Sequence, residues 1–294
     1  MDKIGPSTTQ KLVPMSLLIL SGISIQIGSV FGVKAILISN GFYVSFLRSL
    51  FAFPVIFLVL LLQKKSFRGI NYKLAFLVGV AISLLNTSYN LAISHISLGD
   101  TMGIQYTGAI VVSSIGARSK KEYIWIVLAL LGVLAITRPG SDHVEFIGLF
   151  FAILAAISFG IYITVAKRIA VLNNRMQTMS IALLCSALIL VPSSYSLHSS
   201  LIDGQVLLFA FFMAIFTSVI TAFIEITTLS KISTTVFGVL LGLYPVIAIG
   251  AGLLFLGQKP SLSEVIGILL VVVASIGGSL GRKVTPEMTP KNLS

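Results

Sequence analysis

The chain has 294 residues, 56% of them hydrophobic and only 10% charged, with a formal net charge of +11. A soluble domain of this length needs far more polar surface, so the composition excludes an ordinary globular protein and points to a polytopic membrane protein. Alternating ten-residue strands are absent, which excludes a barrel and leaves an all-α fold.

Roughly 20 apolar residues span a bilayer as a helix. Ten such segments are predicted at 13–33, 42–62, 74–94, 98–116, 123–137, 146–166, 176–194, 204–229, 234–256 and 263–280. The first follows Lys3 and Lys11 but is too long for the core of a signal peptide, so it is taken as a span. It carries Gln26, which can serve a substrate group or an interhelical hydrogen bond, and a Gly28/Gly32 pair suited to close packing. The second carries Arg48, placed either to attract an anionic group or to reach headgroups or helix carbonyls.

In the third segment Asn86, Tyr89 and Asn90 share a face, and in the fourth Thr101, Gln105 and Gly108 line another beside Tyr106. The sixth presents Ser158 and Tyr162; the seventh and tenth are the most uniformly apolar and read as packing or lipid-facing elements. In the eighth, Thr217, Thr221, Glu225 and Thr228 form a polar stripe. Glu225 is the one acid well inside an apolar segment. A carboxylate there costs at least a few kcal/mol unless protonated, paired or facing water. It is therefore a candidate proton carrier or ammonium partner, with a purely structural hydrogen bond as the alternative. The ninth segment bears Tyr244 before Pro245, and a proline inside a span predicts a kink.

The basic residues fall on alternate connections. Lys64, Lys65, Arg68 and Lys73 share one side with Arg118, Lys120, Lys121, Lys167, Arg168 and Arg175, whereas Lys34, Arg138 and Lys259 stand on the other. This asymmetry places both termini in the cytoplasm and makes the positive charge a topology signal, not a nucleic-acid surface. Segments Lys34–Asn40 and Lys167–Asn173, then Leu91–Ser97 and Thr227–Ser233, recur in the same order, and Glu122 and Glu264 each open the fifth helix of a half. Two five-helix repeats, 1–139 and 140–294, follow. Because five is odd, they are inverted, the arrangement of secondary carriers with a site between the repeats.

His95 and Asp100 have the H-x-x-x-x-D spacing of acyltransferases, but no domain is present to hold an acyl donor. No metalloprotease, nucleotide-loop or serine-elbow motif occurs, and Cys185 is alone, so neither enzyme activity, metal nor cofactor is expected. A passive assembly scaffold is the remaining non-transport alternative.

The residues Ser24-Ile25-Gln26, Leu47-Arg48, Asn86 through Gly99, Tyr106-Thr107-Gly108, Ile161-Tyr162-Ile163, Ile224-Glu225, Phe237-Gly238 and Phe255-Leu256-Gly257 carry a family resemblance. The chain resembles the drug/metabolite transporter superfamily, its ten-helix EamA-type members, and within these the bacterial threonine/homoserine exporters. It departs from them at Gln105 and Tyr244, where those exporters have glutamate, and at Ala109, where they have proline. The resemblance implies an inner-membrane exporter of an amino acid or small metabolite, driven by the proton gradient. The residues expected at the substrate are Gln26, Asn86, Tyr89, Asn90, Gln105, Tyr106, Tyr162 and Tyr244, with Glu225 for the proton or ammonium and Arg48 near the outer mouth. Uptake or exchange of a nucleotide-linked or sulfonium metabolite is the alternative within transport. The expected partners are a small-molecule substrate and the lipid bilayer, with the protein a monomer or homodimer.

Overall fold

The computed structural model describes residues 8–114, 123–136, 145–194, 203–229 and 241–280, and every element among them is helical. In chain order these are α1 (Thr8–Ile38), α2 (Gly41–Leu62), α3 (Tyr72–Ile93), α4 (Leu98–Ser114), α5 (Tyr123–Ile136), α6 (Phe146–Ala170), α7 (Arg175–Ser194), α8 (Gly204–Ala214), α9 (Ile220–Leu229), α10 (Tyr244–Leu256) and α11 (Leu262–Leu280). A single π-turn, Ile215–Val219, joins α8 to α9 in one rod. Glu122, Lys231 and Phe237-Gly238 lie outside the described residues.

Among the described residues, six stretches are long and apolar enough to cross a bilayer: Ser16–Ile38, Gly41–Leu62, Tyr72–Ile93, Phe146–Ala170, Arg175–Pro192 and Gly204–Thr228. Shorter apolar helices run over Tyr123–Ile136, Tyr244–Leu256 and Leu262–Gly277. Their outward faces are greasy: Leu130, Leu131 and Leu134 on α5 and Phe146, Phe150 and Ile157 on α6 are exposed. Such continuous apolar surface is what a bilayer covers.

Polar residues satisfy orphan backbone donors at several helix starts. Asn40 Oδ1 accepts the Tyr43 N–H at 2.8 Å to start α2, and Asn71 Oδ1 accepts the Leu74 N–H at 2.9 Å to start α3. Asp203 does the same for α8, accepting from Gln205 N–H. Ser261 and Glu264 form a reciprocal capping box at α11. The first N–H of α4, that of Leu98, donates to Gln258 Oε1 of the α10–α11 turn at 3.1 Å. Before that turn, α10 stops at Gly257, whose φ of 66° is the left-handed conformation glycine adopts without strain.

The rod over 204–229 is not uniformly α, because of the π-turn. Pro245 stands in the first turn of α10, where a missing N–H costs nothing; Leu241 is helical and 242–243 form a turn, so the apolar segment is interrupted just ahead of the proline.

Small residues set the helix contacts. Gly28 and Gly32 of α1 face Phe216, Thr217 and Met213, and Gly79 of α3 faces Ala182 and Cys185 of α7. Gly108 of α4 lies against the backbone of Ala156 in α6, so close that a Cβ would overlap the carbonyl oxygen. That neighbour is main chain and has no rotamer to yield. Gly108→Ala is therefore expected to destabilise the protein by about 1–3 kcal/mol, read as a lowered Tm in detergent. Gly250→Ala, with open space at the same atom, is the control and should leave Tm within about a degree or two.

A candidate substrate cavity

Between the apolar clusters that join α1, α3, α4 and α6 on one side and α2, α3, α7 and α9 on the other lies a cavity of about 130 Å³. Its polar lining comes from α1 (Ser29), α2 (Arg48), α3 (Asn86, Tyr89), α4 (Gln105, Tyr106), α6 (Tyr162), the π-turn (Thr217, Ser218) and α9 (Thr221, Glu225). Residues from before and after position 139 thus meet on one space. The apolar remainder includes Met102, Phe159, Met179 and Leu183.

Arg48 is half-buried and anchored on the π-turn. Its Nε–H donates to Ser218 Oγ at 3.0 Å and an Nη2–H to the Thr217 carbonyl at 3.3 Å. A π-turn holds one residue more than an α-turn, and here the Ile220 N–H reaches back to the Ile215 carbonyl. The displaced carbonyls find donors on neighbouring helices: Ser24 Oγ of α1 donates to Phe216 O at 2.7 Å, and Arg48 takes Thr217 O. Thr217 and Thr221 hydroxyls also donate to the carbonyls of Met213 and Thr217, each at 2.7 Å. Back-bonding of this kind loosens a helix locally, so the distortion rests on the threonines that form the polar stripe.

Glu225 sits two turns further along. Its Oε1 accepts from Ser21 Oγ at 3.2 Å and lies 3.3 Å from the Tyr244 hydroxyl, which is also 3.0 Å from the Leu18 carbonyl. Tyr244 has one hydroxyl proton and two acceptors within reach. Its aromatic neighbours form a wall: Tyr106 meets Tyr244 edge-on at 5.6 Å and Phe159 edge-on at 4.9 Å, and Phe159 stacks on Tyr162 at 6.4 Å. Tyr244→Phe keeps this ring packing while removing one donor to Glu225. The expected cost is about 1 kcal/mol, seen as a small Tm decrease with expression retained.

Of the residues singled out from sequence, Arg48, Asn86, Tyr89, Gln105, Tyr106, Tyr162 and Glu225 line this space together. Tyr89 donates to Ser29 Oγ at 3.0 Å, and Gln105 Oε1 has no partner among the described residues. Three others lie behind the lining. Tyr244 is 0% exposed and supports Glu225 from the second layer. Asn90 donates to Ser45 Oγ at 2.9 Å, tying α3 to α2. Gln26 is 1% exposed, and neither amide atom has a partner among the described residues.

The sequence reading missed Ser218, the residue that fixes Arg48, and it took α7 for a packing or lipid-facing element although Met179 and Leu183 reach the cavity. The hydroxyl next to Thr217 was the available signal for Ser218. An apolar side chain facing a cavity and one facing lipid carry the same signature, so none marked α7.

His95 and Asp100 are engaged elsewhere. His95 Nδ1 pairs with Glu145 Oε2 at 2.6 Å, and Asp100 Oδ2 accepts from Ser97 Oγ at 2.7 Å at the start of α4. Both border a second hollow beneath the α3–α4 and α10–α11 turns. Among the described residues no group of three or more His, Cys, Asp or Glu is placed to hold a metal ion.

The model of the EamA-like transporter family matches residues 146–279. The threonine/homoserine exporter RhtA of Escherichia coli (strain K12) is 28% identical over 205 residues, 69% of this chain and 69% of that protein. RhtA of Salmonella typhimurium (strain LT2) is 25% identical over 213 residues, covering 71% of this chain and 72% of its own. A crystal structure 13% identical in sequence superposes with a TM-score of 0.63 over 90% of this chain and 96% of that one, a likeness of fold. The second half of this helical membrane protein thus matches the model of the EamA-like transporter family, in a chain whose similarity to the threonine/homoserine exporters extends over about two thirds of its length.

Proposed function

We propose that the protein is a secondary transporter of the inner membrane that exports a small polar metabolite, an amino acid such as threonine or homoserine or a derivative of one. Ten spans in two inverted repeats, 1–139 and 140–294, with both termini cytoplasmic, rock against each other around the cavity and expose it to each side in turn. The observation that carries this reading is the meeting of one guanidinium, Arg48, and one carboxylate, Glu225, with amides and phenols on a single intramembrane cavity. Ionisable side chains at that depth mark substrate and ion pathways.

The division of roles follows from distance. Ser218, where Arg48 is anchored, and Glu225 are seven residues apart on one rod, roughly 10 Å at 1.5 Å per residue. The two charges therefore stand on different parts of the cavity wall and can serve different groups. Arg48 takes the carboxylate; Asn86, Gln105 and the tyrosines take the remaining polar groups; Glu225 carries a proton whose gain and release accompany the return of the empty cavity.

Reconstitution of the purified protein into proteoliposomes tests the reading. Labelled threonine or homoserine is expected to move down an imposed gradient and to accumulate when a pH gradient is added. Absence of flux with either compound and with a wider amino-acid panel would remove the assignment.

A further inference from the structure

The guanidinium of Arg48 is planar, with two edges that can each grip two oxygens. Nε and Nη2 form one edge; Nη1 and Nη2 form the other. The π-turn occupies the first edge completely, Nε–H on Ser218 Oγ and Nη2–H on Thr217 O. The second edge has no partner among the described residues, and Arg48 borders the cavity.

We infer that Ser218 and the π-turn are a positioning device that fixes Arg48 with its Nη1/Nη2 edge presented to the cavity, so that the site reads a planar carboxylate end-on. The inference rests on the proposed function and names the substrate group by which the site selects. An unanchored arginine has several rotatable bonds and loses that freedom when it grips a ligand. Here the loss is incurred on folding, because the helix already holds the side chain at two points. The π-turn is what makes the second point available. A regular α-turn directs its carbonyls along its own axis, whereas this one turns Thr217 O towards α2, with Ser24 steadying the adjacent carbonyl. Ser218 acts on the substrate through Arg48, which it holds, so it is a positioning residue.

The test compares two ligands in three proteins. Binding of L-threonine and of L-threoninamide, its uncharged carboxamide, is measured by thermal shift and equilibrium binding on wild type, Ser218→Ala and Ser218→Thr. Expected is a Kd for threonine about 5- to 15-fold higher in Ser218→Ala, no change for threoninamide, and recovery in Ser218→Thr, which keeps the hydroxyl. In proteoliposomes the same loss should fall on KM and leave maximal flux near wild type. Equal loss for both ligands means a general structural defect and overturns the positioning role, as does no loss for either. Failure of wild type to bind threonine, homoserine or any other amino acid is a different result, and it overturns the proposed function together with this inference.

Discussion

Arg48→Ala is expected to raise the KM for threonine or homoserine about 10- to 100-fold, the loss of a charge-assisted pair of hydrogen bonds worth roughly 1.5–3 kcal/mol. The measurement is concentration-dependent flux into proteoliposomes, with Tm of the same preparation as a check on folding. Folding should survive the change. Thr217 O keeps the Thr221 hydroxyl as donor, and Ser218 Oγ borders a cavity that admits water. Arg48→Lys should recover only part of the affinity, because an ammonium supplies charge without the planar fork and its three donors cannot serve Ser218, Thr217 and both oxygens of a carboxylate. Unchanged KM in Arg48→Ala would place the carboxylate elsewhere and leave Arg48 as a strut between α2 and the π-turn.

Glu225→Gln is the second large effect. The amide matches the carboxylate in shape, and its oxygen accepts from Ser21 and Tyr244 as before, so the variant removes the charge and the exchangeable proton while keeping the packing. Expected is at least a tenfold loss of flux driven by a pH gradient, with the residual movement independent of pH through the neutral range. Exchange of labelled for unlabelled threonine, which needs no proton to return the empty cavity, should persist. If gradient-driven flux in Glu225→Gln keeps the pH dependence of the wild type, the proton travels by another route.

Membrane class and helical content were legible in the sequence because both follow from runs of apolar residues, and the bilayer leaves no other economical arrangement of the backbone. The polar stripe of Thr217, Thr221 and Glu225 was legible for the same reason: a costly residue at depth has to face something. The residue that organises them was not. Ser218 is one more small polar residue until the Arg48 guanidinium is beside it, and the π-turn draws, beyond its own threonines, on donors supplied by α1 and α2, which no local pattern records. The rotation of each helix was equally hidden. Asn90 shares a face with Asn86 and Tyr89 on an ideal wheel, yet its bond to Ser45 holds it behind the lining, and Tyr244 lies a layer behind Glu225. A wheel orders side chains around an axis, and only neighbours decide which sector looks inward.

The backbone contact of Gly108 with Ala156 has a mechanical consequence. No side chain separates α4 from α6 there, so the pair resists sliding along each other but is free to tilt, like scissor blades about a rivet. Gly132 and Gly267, each against the other's carbonyl oxygen, give α5 and α11 the same kind of joint. If the two halves rock as proposed, these contacts of bare main chain are places where α4 would turn on α6 and α5 on α11.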